Sequence, residues 1–104
     1  MKQTDYKGLV AEMAEASTPL LIDLHAPWCS FCKKTMPHLE RLSAERDGSI
    51  RFVGLDTDED PEAYDLLGVK TLPCIVLMKD GVEVARRGSG DYEQLTAWLA
   101  ESGL

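Results

Sequence analysis

Apolar residues recur at a spacing of three or four in four segments of the chain, a pattern that predicts four helices. The segments are residues 5–18, 29–46, 60–68 and the residues that follow 91. Thr4 or Asp5 can cap the first helix, and Asp60 is the predicted cap of the short third helix. Asp91 and Gln94 form a capping-box pair, which indicates that the last helix begins there.

Four shorter segments are rich in apolar residues and predict strands. They are Leu20–His25, Ile50–Leu55, Cys74–Lys79 and Val82–Arg87. The second strand follows the first through a helix, so these two are expected to run parallel. Asp80-Gly81 is a strong hairpin signal, so the last two strands are expected to run antiparallel. The order of elements therefore predicts an α/β fold with a mixed central sheet.

Length and charge narrow the class of protein. A chain of 104 residues suits a single domain, residues 1–104, with one buried core. The net charge of −7 argues against nucleic acid or an anionic membrane as a partner. No apolar run approaches the ~20 residues that span a bilayer, and the residues before Tyr6 lack the hydrophobic core of a signal peptide. A cytoplasmic setting is therefore the default expectation, although a mature secreted form would look the same; we also expect a monomer.

Three cysteines are too few for a disulfide framework and indicate redox chemistry or metal ligation. Cys29 and Cys32 form a Cys-x-x-Cys motif between a predicted strand and a predicted helix. The unpaired N–H groups of a helix start, together with the helix dipole, stabilise a thiolate on the first sulfur. The second sulfur lies about one turn further on, where it can attack a mixed disulfide. Zinc sites use the same spacing, but a position between strand and helix favours redox chemistry.

The residues around this motif resemble those of the thioredoxin family. Trp28 precedes the first cysteine, Asp23 lies six residues before it, and Pro37 lies five residues after the second. Thr71-Leu72-Pro73 occupies the place of the family's cis-proline loop. The resemblance covers about residues 5–104. It implies a thioredoxin-like fold, a central sheet flanked by helices.

One departure from the family concerns the number of strands. Thioredoxins usually begin with a short strand ahead of the first helix, and too few residues precede Tyr6 to build one. We therefore expect a four-stranded sheet without an N-terminal strand. Ile50–Leu55 would then be an edge strand, with unpaired N–H and C=O groups on one side.

The resemblance implies a role for each residue around the motif. Cys29 attacks a substrate disulfide and Cys32 resolves the mixed disulfide that forms. Asp23 handles protons, and its place in a central strand should raise its pKa because a charged carboxylate is costly to bury. Gly54 stands where thioredoxins usually carry a lysine near this acid, and loss of that cation should raise the pKa further.

Substrates, cofactors and partners follow from the same resemblance. Trp28, Phe31, Leu72 and Pro73 are expected to bind the extended backbone of a protein disulfide substrate, as a strand adds to a sheet. The Cys29–Cys32 disulfide is the only redox group expected, with no organic cofactor and no metal. A partner similar to thioredoxin reductase would return the oxidised protein to the dithiol.

Two residues differ from the family's usual choice, and each leaves an alternative open. His25 replaces an aromatic residue, so it either adds a group that titrates near neutral pH or only fills the space of the ring. Cys74 follows Pro73 where threonine is usual, and is either a packed thiol, a third redox partner or a metal ligand. Two rival functions remain: a zinc or iron–sulfur module that uses Cys29, Cys32 and Cys74, and a redox-inert adaptor.

Overall fold

The computed structural model describes residues 1–104, which form five strands and four helices. In chain order they are β1 (Lys2–Gln3), α1 (Tyr6–Ala14), β2 (Leu20–His25), α2 (Ser30–Glu45), β3 (Arg51–Asp56), α3 (Glu62–Leu67), β4 (Cys74–Lys79), β5 (Val82–Arg87) and α4 (Tyr92–Glu101). The strands form one sheet in the order β1-β3-β2-β4-β5. β2 is parallel to β3 and antiparallel to β4, so the sheet is mixed as predicted.

Local signals in the sequence place most of the element boundaries. The Asp5 carboxylate accepts a hydrogen bond from the Gly8 N–H at 2.8 Å, and Asp91 with Gln94 forms the complete capping box. Asp80-Gly81 turns the hairpin with φ of 56° and 77°, as a two-residue turn with both residues at positive φ requires.

The predicted cap of α3 is wrong. The residue before the helix is Pro61, which makes no side-chain capping bond, and the Asp60 side chain does not cap the helix. Asp60 contributes its backbone carbonyl instead, which accepts from the Ala63 N–H at 3.2 Å. Proline already has a backbone φ suited to a helix start and lacks an N–H that needs a partner, so α3 begins without a side-chain cap.

The predicted four-stranded sheet is also wrong, because an N-terminal strand is present. β1 pairs Lys2 with Val53 and Gln3 with Gly54, and the Thr4 N–H donates to the Gly54 carbonyl at 2.8 Å. Two residues suffice because the longer β3 supplies the hydrogen-bonding edge on which they lie. The segment predicted as Ile50–Leu55 is therefore an inner strand that has neighbours on both sides, not an edge.

The sheet separates two apolar clusters. The cluster on one face joins the sheet to α1 and α3 through Leu9, Ala63 and Leu67. The cluster on the other face joins it to α2 and α4 through residues that include Leu39 and Leu99. Side chains alternate along β2, so Leu20, Ile22 and Leu24 lie in the first cluster and Leu21 in the second. None of the four helices is long and apolar enough to cross a membrane.

Candidate active site

The two cysteines lie where β2 leads into α2. Cys29 is the N-cap of α2, and its sulfur accepts a hydrogen bond from the Cys32 N–H at 3.2 Å. The residues are 5% and 3% exposed, and they pack with Ala26 and Leu72 in a small cluster of their own. The Cys29 sulfur therefore accepts a hydrogen bond from an N–H group at the start of α2, as the position of the motif predicts.

The second sulfur is the more strongly perturbed one. Burial, together with the neighbouring Cys29 sulfur, raises the pKa of Cys32 to about 12. Such a thiol stays protonated at neutral pH, so it needs a base before it can act as a nucleophile. The pair is thus chemically unequal, with one sulfur at the helix terminus and one protonated thiol inside the first turn.

Asp23 lies behind the pair in β2 and is only 1% exposed. Its Oδ1 atom is buried without a hydrogen-bond partner among the protein's atoms. Burial, aided by the negative charge of Glu40, raises the pKa of Asp23 to about 7. The prediction that this pKa is raised is therefore confirmed. In the β2–β3 ladder Asp23 pairs with Gly54, which offers no side chain to neutralise it.

A residue that the sequence analysis missed occupies the space beside Gly54. A methyl group added to Gly54 would lie 2.5 Å from Nε2 and 2.8 Å from Oε1 of Gln3, so any side chain there would displace the Gln3 amide. The only sequence signal for this contact would have been a strand at Lys2–Gln3. Two residues are too short to show a periodicity, so that strand was not predicted.

His25 lies on the same face of β2 as Asp23, because side chains two residues apart share a face. Its Nε2 is 2.8 Å from Oε1 of Gln3. The ring is half-buried, and burial lowers its pKa, although the Asp56 carboxylate acts in the opposite direction. His25 and Cys32 both line a cleft of about 300 Å³, together with Lys33 and Met36 of α2.

Two aromatic residues are exposed beside the cysteines. Trp28 is 66% exposed and Phe31 is 59% exposed, large fractions for apolar rings. The Trp28 indole N–H donates to the Asp58 carboxylate at 3.1 Å, which fixes the orientation of the ring. The Lys34 ammonium lies 5.9 Å from the centroid of Phe31. Both rings therefore present apolar area at the surface beside the cysteines.

The loop before β4 forms the opposite wall of the site. The Leu72–Pro73 peptide bond is cis. Leu72 packs against the cluster that contains Cys29 and Cys32. A groove of about 310 Å³ runs beside this loop and is lined in part by Pro73 and Gly88. The sequence placed Leu72 and Pro73 at the site, and the fold brings Leu72 into contact with the small cysteine cluster.

Cys74 is buried on the other side of the sheet. It packs in the cluster that contains Leu20, Ile22 and Leu24, and burial raises the pKa of its thiol. The chain holds no group of three or more histidine, cysteine, aspartate and glutamate side chains arranged to bind a metal ion. A metal-binding module that uses Cys29, Cys32 and Cys74 is therefore not favoured.

Comparison with known proteins agrees with this geometry. Residues 1–101 match the family model described as thioredoxin. Thioredoxin C-2 of Corynebacterium nephridii is 31% identical over 100 residues, which cover 95% of this chain and 93% of that protein. Thioredoxin 1 of Synechococcus elongatus is 32% identical over 73 residues, which cover 70% of this chain and 68% of that protein.

Comparison with solved structures also finds a thioredoxin. A crystal structure of chloroplastic thioredoxin z superimposes with a TM-score of 0.87 over 99% of this chain and 94% of that chain, at 24% sequence identity. With the unequal cysteine pair at the start of α2, these matches lead to one conclusion: the chain belongs to the thioredoxin family and is a thiol–disulfide oxidoreductase.

Proposed function

We propose that this protein reduces disulfides in protein substrates through a cycle of Cys29 and Cys32. The observation that carries the proposal is the inequality of the two sulfurs. Cys29 accepts an N–H bond at a helix start, whereas Cys32 is buried with a pKa of about 12. A reductase needs this arrangement, because one sulfur must attack first and the other must wait until a mixed disulfide exists.

The cycle has two chemical steps. In the first, the Cys29 thiolate attacks one sulfur of the substrate disulfide, a Cys29–substrate bond forms, and the other substrate sulfur leaves as a thiolate that takes a proton. In the second, Cys32 loses its proton and attacks Cys29, and the Cys29–substrate bond breaks. The substrate leaves with both sulfurs reduced, and the protein is left with a Cys29–Cys32 disulfide.

Asp23 is proposed to serve the second step. With a pKa of about 7, the carboxyl exchanges its proton at neutral pH, and its buried position behind the motif suits transfer to or from the Cys32 thiol. The unpartnered Oδ1 supports this role, because a purely structural carboxyl at 1% exposure would be expected to have a hydrogen-bond donor.

Substrate binding is proposed to involve both walls of the site. The exposed rings of Trp28 and Phe31 contact apolar side chains of the substrate, and the backbone around Leu72 and Pro73 pairs with the substrate as an added strand. Protein disulfides are the general substrates of this family. The extended, shallow surface also suits a polypeptide better than a small molecule enclosed in a pocket.

The same proposal extends to cofactor, partner and compartment. The Cys29–Cys32 disulfide is the only redox group that the cycle requires, with no organic cofactor or metal. A partner of the thioredoxin reductase type would return the disulfide to the dithiol. The chain would act as a monomeric, single-domain protein in a reducing compartment such as the cytoplasm.

Turnover of a disulfide-bonded protein such as insulin, with dithiothreitol as electron donor, tests the proposal. Cys29→Ser should abolish turnover, because no mixed disulfide can form on the first sulfur. In a separate reaction without dithiothreitol, reduced Cys32→Ser should accumulate a covalent adduct between Cys29 and the substrate, visible by mass spectrometry. Binding of substrate by wild type without any turnover would contradict the proposal and favour a redox-inert adaptor.

A further inference from the structure

The polar side chains around His25 come from three strands and one helix. Gln3 comes from β1 and approaches Nε2 of His25 at 2.8 Å. Asp56 of β3 is the ladder partner of His25, and Asp23 lies on the same face of β2. From α2, Cys32 and Lys33 line the cleft that His25 also lines, and Glu40 acts electrostatically on Asp23. Asp56 is the charged group that acts on the His25 ring, and the amide of Gln3 is neutral.

The contact with Gln3 favours one tautomer of His25. With Oε1 of Gln3 facing Nε2, and an amide oxygen able only to accept, the neutral ring that keeps this hydrogen bond carries its proton on Nε2. In the neutral ring Nδ1 is then an acceptor, free to take a proton. This arrangement depends on Gly54, because any side chain there would displace the Gln3 amide. The missing side chain at 54 and the histidine at 25 are thus structurally linked through Gln3.

The cleft gives His25 access to the sulfur that needs a base. His25 and Cys32 line the same cleft of about 300 Å³, a volume that admits several waters. Asp23 is not among the residues that line this cleft. A proton that leaves Cys32 through the cleft therefore reaches His25 without first passing through the buried carboxyl.

We propose that His25, oriented by Gln3, is a second acceptor for the proton of Cys32 when Cys32 resolves the mixed disulfide, beside the exchange with Asp23. The inference rests on the proposed function. The proton passes from Cys32 through water in the cleft to Nδ1 of His25, and the imidazolium then releases it to solvent. Cys32 attacks Cys29, the Cys29–Cys32 bond forms as the Cys29–substrate bond breaks, and the departing electron pair leaves on the substrate sulfur. Gln3 is a positioning residue.

The charge state of the site at this step supports a neutral acceptor. In the mixed disulfide Cys29 carries no negative charge, so its part in raising the pKa of Cys32 disappears. Burial lowers the pKa of His25, which keeps the ring neutral and ready to accept at neutral pH. The Asp56 carboxylate then stabilises the imidazolium that forms. The negative charge of Glu40 already raises the pKa of Asp23. A neutral imidazole brings no further negative charge near this carboxyl.

The two steps can be timed separately with an aromatic disulfide reagent that releases a coloured thiolate. Reduced protein releases one thiolate when Cys29 attacks and a second when Cys32 resolves. We expect His25→Phe, which keeps a ring in place, to slow the second release about tenfold and to leave the first unchanged. His38→Phe is the matched control, because His38 lies further along α2 and does not line the cleft. It should leave both releases unchanged.

Two further variants separate proton transfer from packing. Imidazole added to His25→Ala should restore the second release in proportion to its neutral form, which a packing role would not produce. Gln3→Glu places a carboxylate against Nε2, so the pH dependence of the second release should move to higher pH. Gln3→Leu should slow the second release by a smaller factor than His25→Phe.

Failure of the proposed role of His25 gives a different result from failure of the proposed reductase function. If wild type gives neither release, the proposed function fails. If wild type gives both, and His25→Phe releases the second thiolate at the wild-type rate, the role of His25 is overturned. A slow second release in His25→Ala that imidazole does not restore, with an unshifted pH profile in Gln3→Glu, overturns it as well and leaves His25 as a packing residue.

Discussion

The two flanks of the cysteine pair have opposite chemical character. On the β1–β3 side lie the amide of Gln3, the imidazole of His25 and the carboxyl of Asp23. On the β4 side lie Leu72, which packs on the cysteines, and Cys74, which packs into the apolar core. In the proposed cycle the first flank moves protons, whereas Leu72 on the second flank holds the substrate chain against the sulfurs. In the proposed cycle, proton transfer and the substrate contacts of Leu72 and Pro73 therefore lie on different sides of the motif.

The largest expected effect comes from removing the buried charge on the polar flank. Burial raises the pKa of Asp23 to about 7 from an ordinary 3.8. Between these values the folded protein holds a proton that the unfolded chain has lost, so stability falls as pH rises through the folded pKa. The full loss corresponds to about 4 kcal/mol. We expect Asp23→Asn to abolish most of this loss when the free energy of urea unfolding is measured from about pH 4 to about pH 8.

The same variant should slow the second step of turnover roughly tenfold to a hundredfold, because a proton-exchanging group is lost. Asp65→Asn is the matched control, since it removes one carboxyl from an exposed position on α3. Parallel pH profiles of stability for wild type and Asp23→Asn would show that Asp23 is not a buried acid with a raised pKa.

A smaller effect is expected at the substrate surface. Phe31→Ala removes a ring that is 59% exposed in the free protein and is available to a substrate. Covering such a ring typically contributes about 1–2 kcal/mol, so KM for a protein disulfide should rise roughly tenfold. The rate with a small aromatic disulfide should stay the same. Val10→Ala, an exposed apolar position on α1, should change neither constant. Equal losses with both substrates would place Phe31 in the chemistry instead of in binding.

The smallest effect is expected on the apolar flank. Cys74 is buried among aliphatic side chains on the face of the sheet away from Asp23. Cys74→Ser should retain most reductase activity and lose about 1 kcal/mol of stability, because a hydroxyl replaces a less polar thiol in an apolar site. Peptide mapping of the oxidised protein should find Cys74 as a free thiol. An abundant disulfide between Cys74 and either Cys29 or Cys32 would make this flank part of the redox cycle.

Elements with strong local signals were predictable from the residues alone. The capping box at Asp91 and Gln94, the turn at Asp80-Gly81 and the cysteine motif between strand and helix all depend on residues within a few positions of one another. The raised pKa of Asp23 was also predictable, since a carboxyl inside an apolar strand must be buried whichever partners surround it.

Contacts between distant residues depend on the folded sheet and were not predictable from local patterns. Lys2–Gln3 is too short to show a period of its own and becomes a strand only because β3 offers an edge for pairing. Gln3, His25 and Gly54 are far apart in sequence, and only the sheet order β1-β3-β2 brings them together. The alternation of β4 placed Cys74 on the face away from Asp23, because strand register fixes the face of every side chain and the residue type alone does not.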